Sequence, residues 1–129
     1  MARRASRTPT ERELEILRVL WDRGPSTVRQ VNEALNERMR TGYTTTLKLM
    51  QIMRDKGLVQ RDPTRRPQVY CAAVSRDGAQ KQIVRDLLDR VFEGSADAMV
   101  MQVLSARKAT PEELAEIRRL IDEHEEHKP

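Results

Sequence analysis

The stretch from Tyr43 to Gln51, YTTTLKLMQ, carries side chains suited to contact with duplex DNA. Thr44 and Thr45 offer hydroxyls to phosphate or base acceptors, and their methyl groups can contact thymine methyls. Lys48 reaches a phosphate or a guanine edge, whereas Leu47 offers only apolar contact. On a helix lying in the major groove, the N-terminal residues face the base edges. The residues predicted to contact DNA are Tyr43, Thr44, Thr45, Leu47, Lys48, Gln51, Arg65 and Arg66.

Arg65 and Arg66 belong to a basic turn, DPTRRP, between two β-like segments at 58–61 and 69–72. At the tip of a hairpin, these arginines suit contact with phosphates or with the minor groove. Residues 1–78 contain 16 Lys or Arg and 9 Asp or Glu, a net charge of +7, whereas residues 79–129 contain 8 and 11, a net charge of −3. This uneven charge favours a polyanionic partner for the first part of the chain, without separating duplex DNA from RNA or an anionic membrane.

The sequence offers no motif for catalysis: it lacks a glycine-rich phosphate loop, a CxxC pair and a plausible Ser/His/Asp arrangement. We therefore predict a protein that is not an enzyme and that holds no cofactor or metal. His124 and His127 are one helical turn apart and suit a metal together with Glu123 or Glu126. They lie within six residues of the C-terminus, where helices fray, so we interpret them as a solvated tail.

The composition favours a cytoplasmic protein without membrane insertion. Four aromatic residues among 129 are too few for a base-stacking platform. The best candidate for a membrane helix is the uncharged run 98–106, which falls well short of the roughly 18 residues that such a helix needs. The basic start MARRASRTPT has no apolar segment behind it, so a secretory signal is not expected. The single cysteine cannot form an internal disulfide, which agrees with a reducing compartment.

Residues 1–74 show the order of three helices followed by a hairpin. A helix start is predicted at 8–11, with Thr8 as the cap and Glu11 as the capping-box carboxylate, followed by an apolar face that ends at Arg23-Gly24-Pro25. Ser26 or Thr27 is predicted to cap a short second helix. The third helix is predicted from Thr44 to Lys56, with a stop at Gly57. Its predicted buried residues recur every three or four positions: Thr46, Leu49, Met50 and Met53.

Residues 75–129 are predicted to form three short amphipathic helices. Such helices have too little surface to fold as an independent core, and a two-fold interface would bury the same apolar stripe twice. The alternative is that they pack back on the first part of the same chain. The residues predicted to form a dimer interface are Val84, Leu87, Leu88, Val91, Met99, Val103, Leu114, Ile117, Leu120 and Ile121. The predicted fold is mainly α: a winged helix-turn-helix of three helices plus a β-hairpin wing (1–74), followed by C-terminal dimerisation helices (75–129).

Three stretches, TPTERELEILRVLW, STVRQVNEAL and YTTTLKLMQIMRDKGLVQR, resemble the penicillinase-repressor family, which includes BlaI, MecI and the copper-responsive CopY repressors. The resemblance covers nearly the whole chain. It implies a homodimeric transcriptional repressor that places one winged helix on each half of a palindromic operator. Carried over by motif, Thr44, Thr45, Leu47 and Lys48 fall on the recognition helix, and Arg65 and Arg66 on the wing.

This sequence departs from the family pattern in three places. CopY-type members bind metal through paired C-terminal cysteines, whereas Cys71 is the only cysteine here. Resistance-type members have a membrane sensor-protease partner and are cleaved, commonly between Asn and Phe; Gln102-Val103 stands at that place in this chain. An arginine on the recognition helix of some members aligns with Leu47, which implies a different operator preference, with a thymine methyl in place of a guanine.

Two other classes of protein remain open from the sequence. A winged helix that binds an acidic protein partner would show salt-sensitive binding without DNA sequence preference. A directly ligand-gated regulator would need a pocket between the two parts of the chain, and the few aromatic residues favour only small ligands there.

Overall fold

The computed structural model describes residues 8–127 and divides the chain into two compact units, the first ending at Asp86 and the second beginning at Leu87. Six helices and a small three-stranded antiparallel sheet occupy the described residues. The elements are α1 (Glu11–Arg23), β1 (Ser26–Thr27), α2 (Val28–Asn36), α3 (Tyr43–Lys56), β2 (Val59–Asp62), β3 (Val69–Ala72), α4 (Arg76–Arg90), α5 (Ala96–Ala106) and α6 (Pro111–Glu126). This order confirms the predicted winged helix-turn-helix followed by C-terminal helices. The division falls within α4, and the domain boundary expected at 74–75 stays a prediction.

Helix α1 begins two residues later than expected. Thr10, not Thr8, is the N-cap: its hydroxyl accepts from Glu13 N at 3.2 Å, and Glu13 Oε1 accepts from Thr10 N at 2.9 Å. Pro9 therefore precedes the cap instead of occupying the first helical turn, and the predicted role of Glu11 in the capping box is wrong. The reciprocal pair satisfies two of the amides that a helix start leaves open.

Strand β1 was not predicted from the sequence pattern. It pairs antiparallel with β3, which lies between β1 and β2, and Tyr70 of β3 stands opposite Ser26 on one side and Arg61 on the other. Ser26 and Thr27 were expected only as caps of α2. Thr27 does cap α2, accepting from Gln30 N at 3.2 Å, so this short segment serves as both strand and cap. The wing is thereby attached to the chain that leads into α2.

The hydrophobic core of the first unit lies between α1, α2, α3 and the sheet. Its fully buried members come from the three helices and from strands β2 and β3: Ile16, Leu17, Val31, Met50, Met53, Val59 and Tyr70. The start of α4 is tied to α1, because Trp21 Nε1 donates to the Val74 carbonyl at 2.8 Å and the Arg76 guanidinium lies 5.0 Å from the Trp21 ring centre. Arg76 also pairs with Asp22 at 3.0 Å.

The second unit consists of the end of α4 with α5 and α6. Ser95 caps α5, accepting from Ala98 N, and Thr110 caps α6 in a capping box with Glu113, as the Thr-Pro-Glu-Glu pattern predicts. Neither α5 nor α6 has a single buried residue. An apolar helix such as α5 needs a covering surface, because exposed hydrocarbon is unfavourable in water.

Candidate nucleic-acid interface

Helix α3 is bounded by glycines at both ends. Gly42 is the N-cap in an extended conformation, and no side chain caps the first turn. The first-turn amides are therefore free of side-chain acceptors and are oriented as donors for an anion. At the other end Gly57 adopts φ 82°, and the next amide, Leu58 N, donates to the Met53 carbonyl at 2.9 Å. The left-handed turn at Gly57 ends the helix sharply before β2.

The two faces of α3 have opposite character. Thr46, Met50 and Met53 are fully buried against the core, as the spacing predicted. Leu49 is only partly buried. The opposite side, here called the reading face, is exposed and polar and consists of Thr44, Thr45, Lys48 and Gln51. Beside it lie two larger side chains one turn apart, Tyr43, which is half exposed, and Leu47, which is partly buried.

Asparagines of α2 hold the start of α3. The Asn32 amide faces the Thr41 and Gly42 carbonyls and Thr46 Oγ1. With the nitrogen oriented towards them, its two N–H groups reach Thr41 O at 2.9 Å and Thr46 Oγ1 at 2.7 Å, and Gly42 O lies at 3.3 Å. Asn36 Nδ2 donates to the same Thr41 carbonyl at 2.8 Å, and its Oδ1 accepts from Thr41 N at 3.2 Å. The turn before α3 therefore has its backbone groups satisfied by α2, which limits the directions in which α3 can leave it.

A buried ion pair holds the end of α3. Lys56 Nζ lies 2.7 Å from Glu13 Oε1, and the two side chains are 11% and 2% exposed. The same carboxylate oxygen accepts from Thr10 N, so the N-terminus of α1 and the last turn of α3 share one acceptor. An uncompensated charge at such a buried position is costly, so the pair disfavours any arrangement that separates the two helix ends.

The wing tip presents exposed arginines on a turn shaped by Asp62. Asp62 Oδ1 accepts from Thr64 N at 2.9 Å and from Thr64 Oγ1 at 2.6 Å. The hydroxyl bond and the amide bond from Thr64 hold the pKa of Asp62 below its usual value, so this carboxylate stays charged. Arg65 and Arg66 follow on the exposed side of the turn, and Arg66 Nη1 donates to the Pro63 carbonyl at 3.3 Å.

The structure places the predicted DNA-contacting residues on two elements of the first unit. Tyr43, Thr44, Thr45, Leu47, Lys48 and Gln51 share α3, and Arg65 and Arg66 share the wing tip. Within residues 8–127, Lys48 makes no ion pair, so its charge is available to a ligand. Their roles in binding stay a prediction.

The predicted dimer-interface residues are mostly open to solvent. Those with large exposed fractions are Val84, Leu87, Val91, Val103, Leu120 and Ile121, and those partly buried are Leu88, Met99, Leu114 and Ile117. Exposed Val100, Met101 and Leu104 enlarge the apolar surface of α5 beyond the predicted set. All of these residues except Val84 belong to the second unit, and so much exposed hydrocarbon on one small unit is typical of an interaction surface.

Charged residues of the second unit are held in local ion pairs. Arg107 lies 2.6 Å from Glu113 and lowers the pKa of that carboxyl to about 2, chiefly through their side-chain hydrogen bond and with help from the Thr110 amide. Arg119 pairs with Glu116 and Glu123 along α6. These charged side chains are thus satisfied by one another, whereas the apolar side chains of Leu120 and Ile121 on α6 remain exposed.

Among residues 8–127, no three His, Cys, Asp or Glu side chains, His124 and His127 included, are arranged to hold a metal ion. No helix within that range is long and apolar enough to cross a bilayer.

Comparisons with known proteins place these features in context. The crystal structure of transcriptional regulator PA4135 aligns with 93% of this chain and 79% of its own, at 18% identity and a TM-score of 0.43. Curated protein sequences give no match. The family model described as penicillinase repressor matches residues 9–123. This chain belongs to the penicillinase repressor family.

Membership in the penicillinase repressor family confirms the resemblance derived from the sequence and makes the chain a DNA-binding transcriptional repressor. The match spans α1 to most of α6, so it includes both the winged helix and the C-terminal helices.

Three residues that position α3 in this penicillinase repressor were not predicted from the sequence. Glu13 pairs with Lys56 in the last turn of α3, Asn32 bonds to Thr46 in its first turn, and Asn36 bonds to Thr41 just before it. One signal was available: Glu13 stands three residues after Thr10, the spacing of a capping box, and on the apolar side of α1. Nothing in the spacing of Asn32 points to its partners.

We expect the Glu13–Lys56 pair to be measurable in a double-mutant cycle. Lys56→Met should lower the free energy of unfolding by about 3 kcal/mol, because it leaves a buried carboxylate without its cation. Adding Glu13→Gln should recover part of that loss, since the amide still accepts from Thr10 N without a charge to compensate. Urea denaturation of the four proteins gives the coupling free energy.

The matched control for this cycle is Lys81→Met, which removes a lysine from an exposed pair with Asp77 in α4. Its effect should stay below about 1 kcal/mol. Strictly additive effects of Lys56→Met and Glu13→Gln would show that the buried pair makes no net contribution.

Asn32→Asp should destabilise the helix-turn-helix. The aspartate has nearly the same size but no donor, so a carboxylate oxygen faces the Thr41 and Gly42 carbonyls, which keep their bonds from Asn36 Nδ2 and Thr46 N. We expect the loss of the Asn32 hydrogen bonds to lower the free energy of unfolding by about 1 kcal/mol. Glu33→Gln, at an exposed neighbouring position of α2, should change the free energy of unfolding by less than about 0.5 kcal/mol. Equal stability of Asn32→Asp and wild type in urea would contradict the role assigned to Asn32.

Proposed function

We propose that this chain is a homodimeric repressor that binds a palindromic operator through α3 and the wing of each subunit. The observation that carries the proposal is the division of α3 into a fully buried side and an exposed polar reading face. A helix that presents hydroxyls, an amide and a lysine on one side has the donors and acceptors that base edges and phosphates require.

The charge and position of the wing support the same function. Arg65 and Arg66 are exposed at the tip of a hairpin whose central strand, β3, also pairs with β1 just before α2. The wing therefore belongs to the same unit as α3. Together the two elements offer a contact to base edges and a second contact to the phosphate backbone or the minor groove.

The C-terminal unit supports the dimer. Helices α5 and α6 have no buried residues although they carry valine, leucine, isoleucine and methionine side chains. A second copy of the same surface would cover this hydrocarbon, and a two-fold interface needs only one apolar patch on each chain. Two linked winged helices would then match the two halves of a palindrome.

Repression in this proposal follows from occupancy of the promoter, and an inducing signal releases the protein. In resistance-type relatives the signal is proteolysis, with a membrane sensor-protease as the partner. Here the corresponding bond, Gln102–Val103, lies inside α5. We infer that loss of the α5 surface, by whatever signal, would separate the two reading faces and weaken operator binding. The proposed location is the cytoplasm, where operator DNA is accessible.

The DNA contact is tested with Lys48→Ala on a duplex selected from random sequences. We expect weaker binding and a smaller salt dependence, because one released counterion fewer reduces the slope of log K against log salt by about 0.9. Titrations at several salt concentrations measure the slope directly. Lys81→Ala removes an exposed lysine of α4 and should leave the slope unchanged.

Equal slopes for Lys48→Ala and wild type would overturn the proposed phosphate contact of Lys48. Salt-sensitive binding with no preference for any duplex would instead favour an acidic protein partner for this face.

A further inference from the structure

A cleft lies beside the reading face, between the start of α2, the start of α3 and the base of the wing. Its volume is about 460 Å³. Tyr43 and Leu47, one turn apart on α3, line the cleft together with Pro67, which follows the wing tip. Val28, the first residue of α2, also lines it and is 6% exposed.

The surface that this cleft offers to a ligand is mainly hydrocarbon. Two of its polar groups already accept hydrogen bonds: Thr27 Oγ1 accepts from Gln30 N at 3.2 Å, and Gln68 Oε1 accepts from Arg61 at 3.3 Å. The side chains of Leu47, Val28 and Pro67 have no polar atoms. A ligand in the cleft therefore gains more from apolar contact than from new hydrogen bonds.

Positive charge surrounds the cleft and continues onto the reading face. Arg29 is exposed at its rim and makes no ion pair within residues 8–127. Lys48 follows Leu47 directly on α3, on the adjoining reading face. An apolar slot lined by Arg29 and followed by Lys48 on α3 fits a nucleic-acid strand, whose phosphates would lie beside the cations while carbon atoms of sugar and base enter the slot.

Among the four bases, thymine alone presents a methyl group in the major groove, whereas cytosine presents an amino donor there. The hydrocarbon side chains of Leu47, Val28 and Pro67 that line the slot contact a methyl group favourably and cannot accept from an amino group. The apolar part of the slot therefore favours the methyl group of thymine over the amino donor of cytosine.

We propose that this cleft is a thymine-reading subsite, in which the 5-methyl group of an operator thymine packs against Leu47 and Tyr43 while Arg29 contacts the adjacent phosphate. The inference rests on the proposed operator binding and adds the base that the cleft selects. Leu47 is thus a specificity-determining residue of the interface.

The test uses duplexes recovered by selection from random sequence, resynthesised with uracil in place of thymine at one position at a time. Uracil lacks only the 5-methyl group. At the position that enters the cleft, wild type should bind the uracil duplex about fourfold more weakly, the loss expected for one buried methyl-sized group. Leu47→Ala should bind thymine and uracil duplexes nearly equally at that position, whereas Lys48→Ala should keep the fourfold difference.

The outcomes separate this proposal from the one on which it rests. If selection recovers a preferred sequence but no thymine position responds to uracil, the subsite is refuted and operator binding stands. If uracil weakens Leu47→Ala as much as wild type, the methyl group is read elsewhere and the subsite is again refuted. If no sequence is enriched, operator binding fails and the subsite fails with it.

Discussion

The orientation of α3 is the constraint on which the rest of the account depends. Successive residues on an α-helix are separated by about 100° around its axis. A rotation of α3 by that angle would therefore turn Lys48 and Gln51 away from the ligand side and bring core residues to the surface. Three features oppose such a rotation. Met50 and Met53 are fully buried, Asn32 bonds to the turn and the first turn of the helix, and Glu13 pairs with Lys56 at its end. Hydrogen bonds and ion pairs depend on direction, whereas apolar contacts do not, so the polar contacts fix the rotation of α3 more closely than its apolar packing does.

Those polar contacts come from α1 and α2, the two helices that precede α3, and they fix the position of α3 relative to both. Glu13 caps α1 and pairs with α3 through the same carboxylate oxygen. Asn32 and Asn36 lie on α2 and satisfy the Thr41 carbonyl from two sides. The reading face itself needs no internal partners, because the positioning is done on the buried side. Its side chains thus remain available for a ligand without loss of stability.

Much of the fold could be predicted from the sequence, and the exceptions have a common cause. The spacing of Thr46, Met50 and Met53 identified the buried side of α3, and Gly57 marked its end, because both signals are local. Strand β1 and the Glu13–Lys56 pair were missed because they depend on partners 42 or more positions away. Thr8 and Thr10 each stand three residues before a glutamate, so this spacing does not separate the two caps; in the structure Glu13 bonds to Thr10 and also pairs with Lys56. The types of the reading-face residues suggested DNA, but the cleft beside Leu47 requires the wing and α2 to be in place.

The central claim is that two linked reading faces recognise a palindrome. The most direct measurement is in vitro selection of random duplex DNA with the full-length protein at physiological salt. The account predicts an enriched palindrome whose half-sites lie about one helical turn, roughly 10 base pairs, apart from centre to centre. Binding without enrichment of any sequence would contradict it, and enrichment of a single unrepeated half-site would contradict the dimer.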